Sequence, residues 1–287
     1  MWDIRQDAKF ANYLTTLNWN VDEIGNDYIY SKKLPFLGLS IIKIQRPSKI
    51  IPNEAISSVC VKRRGFLVYV EPRTKEQSVY YLNHGFVVCK TPSLPTKTIR
   101  INLHKSEKEL LTDMHYKTRY NVSLSTRKGL SLGISRDIEL FARNWQNCAK
   151  ERGMWISQKR EINNIYASFG KRAHVLLANL NTNNVGGILL IFSNKVGYYM
   201  YAYSTQEGKK LSAPTFLAWN AILYSKEKQN NYFDFEGIFD ERYPLKSWKG
   251  FTRFKKSFGG EVIDYPGIYS KYYNPYKLPM VYNRTHD

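Results

Sequence analysis

The sequence predicts a mixed α/β (α+β) chain built in two halves, and three observations predict it. Stretches with apolar residues at helical spacing are interleaved with stretches of apolar alternation from the first residues to the last. Three strand-like runs follow one another closely between residues 173 and 203, which points to antiparallel pairing in the second half. No coiled-coil heptads and no low-complexity tails occur, so neither half is a fibrous or disordered segment. At 287 residues, 43% hydrophobic and 23% charged, the chain suffices for one large domain or two of ordinary size around a real core.

In chain order, Asp7 to Leu17 carries Ala8, Ala11, Tyr13, Leu14 and Leu17 on one helical side, and Asp27 to Tyr30 reads as a strand. Lys32-Lys-Leu-Pro-Phe-Leu-Gly38 leads into an apolar run, Leu39 to Ile44. Gly65 to Val70 is a nearly continuous buried strand, and Thr98 to Leu103 alternates as another, after an interruption at Pro92-Ser-Leu-Pro95. Ser106 with Glu109 three residues on forms a capping box, so a helix starts there with Leu110, Leu111 and Met114 as its apolar side. Ile138 to Arg152, closed by Gly153, and Ile162 to Phe169 are amphipathic helices. Ala173 to Ala178, Gly187 to Phe192 and Val196 to Tyr203 are the three strands. Leu211 to Gln229 reads as one helix with Pro214 in its first turn, and Tyr232 to Phe235 as a final strand before a loop.

Near the C-terminus, Gly250-Phe-Thr-Arg-Phe-Lys-Lys-Ser-Phe-Gly-Gly260 runs into Glu261-Val-Ile-Asp-Tyr-Pro-Gly267. Interleaved aromatics and cations, a Gly pair and then apolar alternation predict a strand, a tight turn and a strand. In that reading Phe251, Arg253 and Lys255 share one face, and Thr252, Phe254 and Lys256 the other. The plain alternative is a surface hairpin with solvated lysines.

Lys+Arg of 43 against Asp+Glu of 24 leaves 43 − 24 = +19, a surplus that attracts polyanions: nucleic acid, phosphorylated substrates or an acidic membrane surface. The cysteines Cys60, Cys89 and Cys148 are widely spaced with no CxxC, so neither a zinc site nor a disulfide framework is expected, and no metal is assigned. Met1-Trp-Asp-Ile-Arg-Gln-Asp7 is charged where a secretory signal is apolar, and no apolar run reaches the ~18 residues of a membrane span. A soluble cytoplasmic location is the expectation. The five histidines have no partner pattern, so no His-based triad is assigned.

The order helix, helix, three antiparallel strands, helix, strand, strand is also that of an acyl-CoA N-acyltransferase (GNAT-like) domain. Such domains cradle a pyrophosphate on a Gly-rich turn at a helix N-terminus. Here Ser204-Thr-Gln-Glu-Gly-Lys-Lys-Leu-Ser212 holds a single glycine, so no coenzyme A cradle is expected. Four motifs carry a more specific resemblance: Met114 to Gly129 (MHYKTRYNVSLSTRKG), Tyr198-Tyr-Met-Tyr-Ala-Tyr-Ser-Thr205, Tyr232-Phe-Asp-Phe-Glu-Gly-Ile238, and Arg253-Phe-Lys-Lys-Ser-Phe-Gly-Gly260 with Val262 to Gly267. In this order they resemble the FemA/FemB/FemX family of peptidoglycan-bridge aminoacyltransferases, from about Thr98 to the end, with a looser likeness around Lys33-Leu-Pro-Phe36.

The resemblance implies two GNAT-like domains with a cleft between them: residues 1–104 completed by 264–287, and residues 105–263, without the helical-hairpin arm of some members. It implies transfer of an amino acid from aminoacyl-tRNA to the side-chain amine of a muramyl-pentapeptide precursor, nucleotide- or lipid-linked. No cofactor is implied beyond aminoacyl-tRNA as co-substrate, and a lipid-linked acceptor would bring the chain to the inner membrane face. It assigns oxyanion stabilisation to Lys255, orientation of the amine to the Phe254 carbonyl, and a substrate hydrogen bond to Tyr201. Arg119 and Lys117 are the candidates for phosphate contacts, with Arg253, Tyr199, Ser204, Lys33 and Glu236 completing the substrate-binding set. Glu236 stands where the family commonly has a small residue, usually Gly, and Ala202-Tyr203 replaces smaller residues. Tyr201 as a core aromatic and Arg119 as a solvated helix cation remain the plain alternatives. So do two other functions: a GNAT-like enzyme with another acyl donor, and a non-catalytic RNA-binding protein.

Overall fold

In the computed structural model, which describes residues 3–244 and 246–274, the chain runs α1 (Ala8–Thr16), β1 (Asn20–Ile24), β2 (Asp27–Lys33), β3 (Ser40–Gln45), α2 (Asn53–Arg63), β4 (Gly65–Glu71), α3 (Lys75–Asn83), β5 (Val87–Val88), β6 (Lys97–Asn102), α4 (Glu107–Asp113), α5 (Tyr116–Arg127) and β7 (Leu130–Ser135). It continues as α6 (Ile138–Lys150), α7 (Lys159–Phe169), β8 (Ala173–Leu180), β9 (Asn183–Ser193), β10 (Val196–Ser204), α8 (Gln206–Lys210), α9 (Ala213–Glu227), β11 (Tyr232–Asp234), α10 (Lys249–Lys256), β12 (Glu261–Asp264) and β13 (Tyr269–Tyr272).

The chain divides into two units, residues 1–94 with 265–287, and residues 95–264. In the first, a six-stranded sheet has the order β1-β2-β3-β4-β13-β5. Only β3 and β4 pair in parallel within it. Its core gathers Ile29, Ile42, Ile44, Val68 and Val70 from the strands with Ile56, Val59, Tyr81 and Phe86. The strand contributed from the C-terminal end, β13, fills the gap between β4 and β5.

The second unit has a seven-stranded sheet ordered β12-β6-β11-β10-β9-β8-β7. Strand 97–102 was expected in the first domain; it pairs instead with β11 and β12 of this sheet, and the chain changes unit between Leu94 and Pro95. Alternating apolar residues specify that a strand forms and which face is buried, not which sheet adopts it. Helix α9 is almost wholly buried on one face of this sheet, packing Phe216, Leu217, Ala221 and Ile222 on Ile188, Leu190 and Phe233. That explains an apolar composition all round the helix. The predicted capping box is present: the Ser106 side chain accepts from the Glu109 N–H and the Glu109 carboxylate accepts from the Ser106 N–H. The helix expected over 211–229 forms as α9, which starts at Ala213 because Ser212 takes a left-handed conformation (φ 61°) and separates it from the short α8 before it.

The largest correction concerns residues 249–256, which form helix α10 and not a strand. Phe251, Phe254, Lys255 and Phe258 recur at spacings of three and four, a helical face as much as an alternation. Phe254 meets Phe258 with ring centroids 5.2 Å apart, and Phe251 meets Trp248 at 5.3 Å. The Gly pair terminates the helix instead of turning a hairpin: Gly259 and Gly260 have φ of 79° and 87°. A Cβ on Gly259 would lie 2.9 Å from the Asp113 carbonyl oxygen.

Candidate active site

Strands β10 and β11 are the one parallel pair of the second sheet and stay paired only from Val196 to Tyr198 opposite Tyr232 to Asp234. Past that point β10 continues to Ser204 while β11 ends, and the sheet opens. There lies a cavity of about 320 Å³ lined by Tyr199, Tyr203 and Ser204 of β10, Leu217 of α9, and Phe251, Phe254 and Lys255 of α10, with Arg152 at its rim. A cleft at the carboxyl ends of parallel strands is the ordinary place for a ligand in such sheets.

Lys255 is only 9% exposed. Its ammonium donates to the carbonyls of Glu236 (3.0 Å) and Gly237 (2.7 Å), and it lies 5.1 and 5.9 Å from the ring centroids of Phe251 and Tyr199. An ammonium has three N–H groups, so one is left for a ligand in the cavity. Burial pushes the Lys255 amine down to about 8, against the partly compensating charges of Glu236 and Asp234.

The two carbonyls are presented by a turn in which Glu236 and Gly237 both have positive φ, 54° and 71°. A left-handed pair explains why a small residue, usually Gly, suits the first position. The turn is held by Asp234, whose Oδ1 accepts from the Thr98 hydroxyl (2.6 Å) and the Glu236 N–H (2.9 Å) and whose Oδ2 faces the Arg100 guanidinium at 3.0 Å. Asp234 is therefore a positioning residue, and Thr98 and Arg100, which sequence patterns did not single out, are its supports.

A bulge in β10 separates two tyrosines that strand alternation would put side by side. Tyr199 pairs with Leu190 and Tyr201 with the next residue, Leu189, leaving Met200 unpaired. Tyr199 then packs with Phe233 and Phe235 and lines the cavity, whereas Tyr201 lies edge-on to Trp145 of α6 and does not. Among the described residues neither hydroxyl has a hydrogen-bond partner, and burial raises both phenols, Tyr201 to about 12. Tyr203 is fixed by Asn184 and Asn144, and its ring is accommodated by Gly187, where a Cβ would fall 2.8 Å from it.

Of the remaining candidates, Phe254 and Ser204 border the same cavity and the others lie elsewhere. The Phe254 ring lines the cavity, but its carbonyl already accepts from both the N–H and the hydroxyl of Ser257 (3.2 and 2.7 Å), so its two lone pairs are engaged. Ser204 is buried, its hydroxyl directed at the Val185 and Thr205 carbonyls. Arg119 closes the end of α4, its Nη1 donating to the carbonyls of Leu111, Thr112 and Met114. Lys117 and Arg253 face a second cavity, of about 630 Å³, with His115 and Lys256, and Phe254 borders both cavities. Lys33 is an exposed residue at the end of β2 in the first unit. Gly208, the lone glycine of the stretch after β10, serves close packing: a Cβ there would sit 2.2 Å from the Val185 carbonyl oxygen. Among the described residues no group of three or more His, Cys, Asp or Glu could hold a metal ion, and no helix is long and apolar enough to cross a membrane.

Residues 182–283 match the model of the FemAB family, a span that contains the cavity's β10, α9 and α10 residues and the Glu236–Gly237 turn. The crystal structure of FemX has the same fold, with a TM-score of 0.80 and 16% identity over 95% of this chain and 92% of that one. The C-terminal domain of a putative lysylphosphatidylglycerol synthetase from Agrobacterium fabrum follows at 0.63 and 12%, covering 93% and 88%. A tandem GNAT protein from the clavulanic acid biosynthesis pathway gives 0.54 and 10%, covering 88% and 83%. No curated protein matches the sequence. Identities this low report fold, and the fold is a tandem GNAT-like one. Residues 182–283 thus resemble the FemAB family, and 95% of the chain shares the fold of FemX.

Proposed function

We propose that this chain transfers an amino acid from aminoacyl-tRNA to the side-chain amine of a stem peptide in a peptidoglycan precursor, with Lys255 as the oxyanion-stabilising cation. The observation that carries the reading is the buried Lys255 ammonium, anchored by two carbonyls and left with one N–H in a cavity roofed by aromatics. In the reaction the acceptor nitrogen attacks the ester carbonyl carbon and a C–N bond forms. The carbonyl oxygen takes up negative charge, which Lys255 meets in a poorly hydrated site where such a contact is strong. Collapse breaks the C–O bond to the ribose; the nitrogen gives up one proton and the ribose oxygen gains one, leaving an amide and a hydroxyl. A lysine titrating near 8 is a cation at neutral pH yet close enough to neutrality to take part in that proton movement. Tyr199, which lines the cavity and whose hydroxyl has no partner among the described residues, would donate to the ester or the incoming amine.

The +19 charge supports two polyanionic substrates, the tRNA backbone and the precursor diphosphate. The test is transfer of labelled amino acid from charged tRNA to nucleotide-linked and lipid-linked muramyl pentapeptides. Transfer that depends on Lys255 is the expected result. No transfer to either acceptor from any charged tRNA overturns the reading and leaves a GNAT-like enzyme with another donor.

A further inference from the structure

Between α6 and α7 the second unit carries a loop whose tip is apolar and faces water. Met154, Trp155 and Ile156 are 47%, 77% and 76% exposed. Lone exposed apolar residues are common, but three large ones in succession on a loop tip make a continuous apolar patch of the kind that interaction surfaces carry. The loop is built to hold this tip outward. At its start the Gly153 and Met154 N–H groups donate to the carbonyls of Lys150 and Ala149 (2.9 and 3.0 Å), with Gly153 at φ 84° ending α6. At its far end the Gln158 N–H donates to the Gln146 Oε1 (3.0 Å), which ties the chain back to the same helix.

Cations flank the tip: Lys150, Arg152, Lys159 and Arg160 are exposed, against two carboxylates, Glu151 and Glu161. A lipid head-group layer suits such a pattern, since Trp settles at the interface, aliphatic side chains reach the acyl region and flanking cations meet lipid phosphates. RNA, the other polyanion on offer, would use the Trp ring for stacking but would gain little from Met154 and Ile156. The first unit repeats the composition at Lys32-Lys-Leu-Pro-Phe-Leu37, where Phe36 is fully exposed at φ 64°, a conformation unusual for a bulky residue. Arg152 is shared: it begins the apolar loop and also lines the Lys255 cavity.

We infer that the 153–157 loop docks the second unit on an anionic phospholipid surface with the mouth of the Lys255 cavity beside it, so that the acceptor is the lipid-linked precursor. The choice of acceptor rests on the function proposed above; the docking does not. The experiment is flotation of the full chain with phosphatidylcholine vesicles, with and without phosphatidylglycerol and with neither tRNA nor precursor present. Wild type is compared with Met154→Ser/Trp155→Ser/Ile156→Ser, whose fold is checked by its melting temperature. Wild type floats with the anionic vesicles, and part of the binding survives salt that screens the cations. The triple variant loses about tenfold or more of that partitioning, as expected for three apolar side chains withdrawn from lipid. Its transfer to a nucleotide-linked acceptor is unchanged, while transfer to vesicle-borne acceptor falls with the binding. Wild type that stays in the soluble fraction with every vesicle, or equal flotation of the two proteins, overturns the docking. Unchanged flotation with lost tRNA affinity in the variant overturns it too and reassigns the loop to RNA. Absence of any transfer alongside intact flotation removes the acceptor assignment and leaves the docking in place.

Discussion

Replacing Lys255 by Met separates the role of the ammonium from that of its stem, because Met fills the same space and cannot donate. An amine that ordinarily titrates at 10.5 and here titrates at about 8 has had its charged form destabilised by about 3 kcal/mol, at about 1.4 kcal/mol per pH unit. Below about pH 8 the lysine is charged in the folded and the unfolded chain, so wild type bears that whole cost. Above it the folded chain gives up the proton first, and stability recovers until the unfolded chain also titrates near 10.5. Met removes the cost but leaves the Glu236 and Gly237 carbonyls without their donor, at about 1 to 3 kcal/mol for each that stays buried. Two carbonyls cost about 2 to 6 kcal/mol against the about 3 relieved, so at neutral pH the variant is expected to lose at most about 3 kcal/mol, a loss the unfolding curves read directly. Its transfer rate is expected to fall about 100- to 1000-fold, the usual consequence of losing an oxyanion donor. The assay pairs transfer kinetics with urea unfolding at pH 7 and at about pH 9.5, where wild type should have regained about 2 kcal/mol relative to the variant. Taking the difference of differences cancels the other titrating groups. A variant within a few-fold of wild-type activity, or a stability gap that does not change with pH, refutes the reasoning.

Three further outcomes follow from the same site. Gly237→Ala places a Cβ 2.8 Å from Pro95 and 2.9 Å from Trp248 at a φ of 71°, and should lower stability by about 1 to 3 kcal/mol and disturb the Lys255 anchor, read by thermal melting and transfer rate. Glu236→Gly relieves a left-handed non-glycine residue and should raise stability by up to about 1 kcal/mol. It also removes a charge that raises the Lys255 value, so the alkaline limb of the pH profile of kcat/KM should move to lower pH; a limb that stays put counts against Lys255 as its origin. Tyr199→Phe deletes a hydroxyl with no partner among the described residues, so melting should be unchanged while transfer drops about tenfold, the worth of one substrate hydrogen bond.

Much of the element order was legible because periodicity and caps are local signals. The Ser106 capping box, the strand at 65–71 and the three antiparallel strands of the second half occur where alternation and helical spacing put them. Helix α10 was not legible as a helix. Phe251, Phe254 and Phe258 suit a helical face, yet the interposed Arg253 and Lys255 also alternate, and the Gly pair that ends the helix looks like a hairpin turn. The sheet that takes strand 97–102 was equally hidden, since its partners come from residues 232–234 and 261–264. At the candidate site, the motif drew attention to Lys255 but carried no sign of its burial in a helix, and Tyr199 and Tyr201 could be told apart only by the Met200 bulge.

Helical geometry in α10 alters what the Arg253-Phe-Lys-Lys256 stretch can do. On a strand, Arg253 and Lys255 would share a face and their charges would add. On a helix they diverge: Lys255 turns into the aromatic cavity while Arg253 and Lys256 line the neighbouring one, with the Phe254 ring bordering both. One cation is thereby dehydrated and two remain hydrated, although all three share one short segment. The dehydrated one is tolerable because Thr98 and Arg100 of β6 fix Asp234, and Asp234 holds the turn whose two carbonyls receive the ammonium. Lys255 and that turn are therefore a single device assembled from β6, the chain after β11, and α10. Changes at positions 234, 236 and 237 are therefore expected to act on Lys255 through that assembly.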